Sequence, residues 1–201
     1  MLTYVTTNPG KFQSANLFFP PYEIVQESSL DIPEPETGVV AVAGYKATYA
    51  REFVVPPLFV HDTSLYGEGL PGVQIGREVR QRGVAGVFAG LPDNHPCYCR
   101  QCVAYVDTTG EMSFFESEVP GRLVKRARGD AVWRWTDIWK YFIPHGLQQT
   151  LAELSAEEYR EWTLSRQDGG LETSFVREYG NHTEILVPAT GNVTPASSAH
   201  Q

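Results

Sequence analysis

The chain has 201 residues, a net charge of −8, 42% hydrophobic and 20% charged residues. That profile fits one soluble globular domain with a sizeable core. It argues against a nucleic-acid backbone as partner, and no stretch approaches the roughly 18 apolar residues of a membrane span. The start lacks the basic and apolar blocks of a signal peptide, and the cysteines (Cys97, Cys99, Cys102) are an odd, clustered set rather than a disulfide framework, so a cytoplasmic location is expected.

Residues 2–6 read as a first strand, and the loop Thr7–Lys11 leads into a short helix around Phe12–Phe18 that Pro20–Pro21 ends. Tyr22–Gln26 is a second short strand. Ser28–Gly38 is irregular, with Asp31, Glu34 and Glu36 among prolines, and an alanine-rich helix follows from about Val39 to Phe53. Leu58–Val60 reads as a buried strand whose apolar run ends at His61–Asp62. That order favours an α/β fold with chemistry at strand ends. Tyr98–Asp107 and Glu111–Ser117 flank the hairpin signal Thr108-Thr109-Gly110, and Gly121–Arg126 reads as a further strand. The sheet is therefore mixed. Ser155 and Glu158 fit a capping box that opens a helix. A second helical stretch is expected near Leu171–Tyr179, and Pro188–Gln201 lacks any periodicity, so 1–187 is read as the folded unit and 188–201 as a disordered tail.

Four features carry possible chemistry. Thr7–Gly10 and Lys11, at a strand-to-helix turn, suit a phosphate, with Asn8 reaching phosphate or ribose oxygens; the same residues would equally make an N-cap beside an exposed lysine. Asp62, at a strand end, suits a carboxylate that orients water or holds metal, or a loop cap. Val132–Phe142 is crowded with aromatics, on one of which (Trp135) a base would stack, with Asp137 accepting its N–H groups; a core role is the alternative. His95–Cys102 gathers soft ligands, but on a strand Cys97 and Cys99 face one side and Cys102 the other, which favours structural cysteines.

Taken in order, these motifs resemble the inosine triphosphate pyrophosphatases. The signature T-G-N-x-x-K-x-x-E is met by Thr6-Thr7-Asn8-Pro9-Gly10-Lys11. An acid-rich segment and a helix ending in K-A are met by Glu34–Glu36 and Lys46-Ala47. A strand ending in an acidic pair, then P-G and arginine, is met by His61-Asp62, Pro71-Gly72 and Arg77. F-x-P-x-G and T-x-A-E-L-S are met by Phe142–Gly146 and Thr150–Ser155. The resemblance spans Leu2 to about Tyr179.

It implies an elongated mixed β-sheet flanked by helices, two lobes with a central nucleotide cleft, a homodimer, and Mg²⁺-dependent release of pyrophosphate from a small-molecule purine nucleotide. Asp62, Lys11 and His61 are then the candidate catalytic residues. Thr7, Asn8, Lys46, Arg77, Trp135, Asp137, Phe142 and Arg166 are candidates for substrate, and Asp62 with Glu36 for metal. The departures are Ser14 where an acid is expected, Ala41-Val42-Ala43 for E-N-A, His61 for an acid, and Tyr159 for a lysine. Loss of these groups keeps two other readings open: a catalytically silent nucleotide-binding protein, and a nucleotide hydrolase or glycosidase using His61 and Asp62 to transfer protons, with another divalent metal or none.

Overall fold

The computed structural model describes residues 1–18, 24–33, 38–166, 174–175 and 179. A six-stranded sheet runs β2 (Ile24–Glu27), β1 (Leu2–Val5), β3 (Leu58–Tyr66), β4 (His95–Val106), β5 (Met112–Leu123), β6 (Phe142–Pro144). β1 pairs parallel to both β2 and β3, and the remaining pairs are antiparallel. The expected mixed sheet is present. Among the described residues four α-helices flank it: α1 (Pro9–Ala15), α2 (Val39–Ala50), α3 (Ile75–Val87) and α4 (Ala156–Ser165).

The sheet separates two cores, as period-two alternation requires. Leu58, Val60, Cys102 and Ala104 pack under α2 with Val39, Ala43 and Ala47. The larger core, on the other face, takes Phe59, Leu65, Val103 and Tyr105 and is rich in aromatic rings, including the stacked pair Tyr4–Phe59 with centroids 4.3 Å apart. All three cysteines are free and buried, divided between the two faces, and burial pushes the Cys97 and Cys102 thiols up to about 12.

Several boundaries differ from expectation. β3 does not stop at Val60 but continues through Tyr66, because β4 pairs with it along its whole length, so His61–Asp62 lies within a strand. Gly121–Leu123 belongs to β5, one long arm of the hairpin, and is not a new strand. α1 begins at Pro9, a residue suited to the first helical turn, with the Asn8 side chain as its cap. α2 ends at Ala50 rather than Phe53, and the thirteen-residue α3 has no counterpart in the reading of the sequence. Its polar Gly76–Gly83 stretch, broken at Gly83 (φ 69°), hides the apolar positions Ile75, Val84 and Val87. The expectations for Leu171–Tyr179 and for the tail fall mostly or wholly outside the described residues. No helix among the described residues is long and apolar enough to cross a membrane.

Candidate active site

β1 is shorter than the strand beside it. It meets β3 only at Thr3–Leu58 and Tyr4–Phe59, so from Val60 onward that edge of β3 has no neighbouring strand among the described residues. A cleft of about 770 Å³ opens there, and side chains from both faces of β3 line it. Although the chain is acidic, four cationic side chains (Lys11, Lys46, Arg77, Arg80) and two carboxylates (Asp31, Asp62) line this cleft.

Lys11 is held where β1 stops. Its Nζ donates to the His61 carbonyl oxygen at 2.9 Å and sits 4.7 Å from the centre of the Trp135 ring. Asn8 ties the same loop to the aromatic segment: its Oδ1 accepts from Lys11 N at 3.1 Å and its Nδ2 donates to the Trp135 carbonyl at 3.3 Å. The contact is close, since a Cβ at Gly10 would lie 2.8 Å from Trp135 Cα. Across the cleft, Lys46 comes from the last turns of α2 and its Nζ lies 2.9 Å from Asp62 Oδ1, with side chains 17% and 10% exposed.

His61 points to the opposite face of β3 from Asp62. The strand register sets Gln101 across from Thr63, and His61 Nε2 lies 3.0 Å from Gln101 Oε1 and 3.2 Å from Thr63 Oγ1. Burial, with the Lys11 charge second, pushes the imidazole down to about 3, so the ring is neutral at physiological pH. The Pro71–Gly72 turn folds back on β3 through a Leu65–Gly72 bridge and leads into α3, which places Arg77 and Arg80 on the cleft wall.

The structure thus brings together Thr7, Asn8, Lys11, Lys46, His61, Asp62, Arg77 and Trp135. It does not bring three other expected residues to the cleft. Phe142 is wholly buried in the core against Trp139. The exposed Asp137 carboxylate is engaged by Arg134 at 2.7 Å. Arg166 donates to Ser117 Oγ at 2.9 Å and lies over Trp162, on the hairpin. Glu36 and Glu34 lie outside the described residues.

The T-x-A-E-L-S stretch serves structure: Glu153 accepts from Thr150 N at 2.7 Å, and Glu158 accepts from Ser155 N at 2.7 Å, in consecutive capping boxes. Tyr159, at the position of an expected lysine, stacks on Trp133 at 4.1 Å. Reading the sequence missed Gln101, Thr63 and Arg80. The first two become visible only through the β3–β4 register, and Arg80 only once α3 is recognised.

The model of the Ham1 family matches residues 2–166. The dITP/XTP pyrophosphatase of Thermococcus kodakarensis is 31% identical over 164 residues, covering 78% of this chain and 86% of that protein. Inosine triphosphate pyrophosphatase 1 of Trypanosoma cruzi is 28% identical over 163 residues, covering 78% and 82%. Among solved structures, a HAM1 protein from Coxiella burnetii matches with a TM-score of 0.62 at 19% identity, over 90% of this chain and all of that one. The Ham1 protein of Staphylococcus aureus matches with a TM-score of 0.60 at 17% identity, over 90% and 99%. These two structures share the fold described above.

Proposed function

The chain belongs to the Ham1 family, and we propose that it is a hydrolase that cleaves a non-canonical purine nucleoside triphosphate into the nucleoside monophosphate and pyrophosphate. The observation that carries this reading is the Lys46–Asp62 pair, 2.9 Å apart on the open edge of β3, with Lys11 on the same edge. Lysines of this kind neutralise phosphate oxygens, and a carboxylate among them orients a water for attack. The ammonium of Lys46 has three donors, so it can keep Asp62 in place while another donor reaches a phosphate. Arg77 and Arg80 extend the positive wall along the phosphates. Trp135, which already carries Lys11 over its face, offers a surface for the base.

Among the described residues no three His, Cys, Asp or Glu side chains converge on a metal position. One buried carboxylate, Asp62, fits a hard cation that arrives with the triphosphate and takes most of its oxygens from phosphates and water, as Mg²⁺ does. Asp62 would hold it, with Glu36 proposed as a second donor. When bound, the ion supplies charge neutralisation across the phosphate oxygens. His61 Nε2 is committed to Gln101 and Thr63 and is left out of this set.

A catalytically silent nucleotide-binding protein is the second reading. It is favoured by Ser14, where an acid was expected, and by Ala41-Val42-Ala43. A His61–Asp62 proton-transfer pair is disfavoured, since adjacent strand residues face opposite sides and the imidazole is held neutral. We also propose that the chain acts as a homodimer, which light scattering on the purified protein checks. Pyrophosphate release over a panel of nucleoside tri-, di- and monophosphates tests the activity. Release lost in Asp62→Asn supports it. Calorimetric binding without turnover of any nucleotide favours the silent reading.

A further inference from the structure

A second cationic groove lies away from the cleft, at the end of the hairpin where β5 leaves the sheet. Arg122, Lys125, Arg126 and Arg128 line a space of about 500 Å³ together with Asp93, Asn94 and Gln148. Four of the chain's sixteen cationic residues thus fall within seven positions of a protein whose net charge is −8.

The groove is held in shape. Val124 N donates to Tyr141 O at 2.9 Å and Arg128 N to Lys140 O at 2.8 Å, which fixes both ends of the basic loop. Asp93 Oδ1 accepts from Lys125 N at 2.9 Å, so this acid is bound to the loop's backbone. Arg122 is steadied by neutral acceptors, Asn94 Oδ1 at 3.1 Å and Gln148 Oε1 at 3.4 Å, which orient its guanidinium without cancelling its charge. Asn94 does this from a left-handed backbone (φ 59°), the one non-glycine residue at positive φ among the described residues. Arg128 Nε has Glu153 at 3.7 Å, and Glu153 also accepts from Thr150 N. The Lys125 and Arg126 side chains have no ion-pair partner among the described residues.

We propose that this groove binds a short oligophosphate anion at a site separate from the cleft. Converging guanidinium and ammonium groups select phosphate oxygens over a single dispersed charge. The lining contains no aromatic ring, so it offers nothing for a base to stack on, which disfavours both a nucleoside moiety and single-stranded nucleic acid. The groove does not depend on turnover in the cleft, and its test takes the cleft as a second phosphate site only for comparison.

Calorimetric titration of the full chain with inorganic tripolyphosphate tests it, with pyrophosphate, sulfate and adenosine triphosphate run in parallel. The wild type is expected to show two sites. Lys125→Ser/Arg126→Ser, which alters only exposed side chains, is expected to weaken one site about tenfold or more and leave the other unchanged. Lys46→Ala is expected to have the opposite pattern. Equal affinity for tripolyphosphate and triphosphate nucleotide at the groove supports recognition of the phosphates alone. Unchanged binding in Lys125→Ser/Arg126→Ser overturns the proposal, as does sulfate binding as tightly as tripolyphosphate.

Discussion

The two walls of the cleft are built in different ways. The basic wall draws single side chains from regular elements: Lys11 from α1, Lys46 from α2, Asp62 from β3. Lys11 is fixed by donating to the His61 carbonyl at 2.9 Å, and Lys46 and Asp62 by their mutual contact of 2.9 Å. The aromatic wall comes from the stretch 130–141, irregular except for a 3-10 turn at Asp137–Lys140, where the neighbouring rings Trp133, Trp135 and Trp139 have different surroundings. Trp133 is 4% exposed, stacked on Tyr159 and bonded through Nε1 to Leu154 O. Trp135 is half-buried at the cleft with Lys11 over its face. A charge on the open edge of a sheet has few places to go, whereas an aromatic ring is equally at home in a core or on a ligand.

The comparison can be broken from either side. The largest effect belongs to the basic wall: Asp62→Asn is expected to lower turnover by about 10²–10⁴-fold with the fold retained, read by pyrophosphate release and circular dichroism. On the aromatic wall, stability and binding should separate. Trp133→Ala removes a packed ring and is expected to cost about 3–5 kcal/mol of stability by denaturant unfolding. Trp135→Ala is expected to cost little stability but to raise KM about tenfold, through lost stacking and the lost cation–π contact. If both variants instead lose stability equally, the distinction between the rings is wrong.

Smaller effects test the seam between the walls. Gly10→Ala sets a Cβ 2.8 Å from the Trp135 backbone, so the wall must shift, at an expected cost of about 1–3 kcal/mol and a few-fold rise in KM. The smallest effect concerns His61. Its imidazole is pushed from its ordinary value down to about 3, chiefly by burial. Below an unfolded pKa of about 6.5 the unfolded chain therefore binds a proton that the folded chain does not. His61 should thus lower stability progressively as pH falls from about 6.5 toward 3 and be neutral in effect above it. His61→Gln is expected to reduce that acid slope in a thermal melt series, and the wild-type rate should show no inflection near pH 6.5 from this residue.

Much of the frame was legible in the sequence. The strand-loop-helix start, the Thr108–Gly110 hairpin and the Ser155–Glu158 capping box are local signals, and each is present, the first helix beginning at Pro9 rather than Phe12. Lys11 and Asp62 are picked out by local pattern and Lys46 by the family resemblance, and all three line the cleft. What local pattern did not show depended on pairing. β3 runs past His61–Asp62 because β4 extends it, and Gln101 reaches His61 only through that register. Arg166 had the residue type for a nucleotide contact, yet the helix end places it on Ser117. Phe142 is a β6 residue facing the core, which alternation over three residues is too short to signal. α3 escaped notice because its arginines and glycines outnumber the three positions it buries.

The most direct test of the account is product stoichiometry with inosine or xanthosine triphosphate and Mg²⁺, separated by ion-exchange chromatography. The account predicts nucleoside monophosphate and pyrophosphate in equal amounts, both lost in Asp62→Asn. Nucleoside diphosphate with inorganic phosphate, or free base without pyrophosphate, would contradict it.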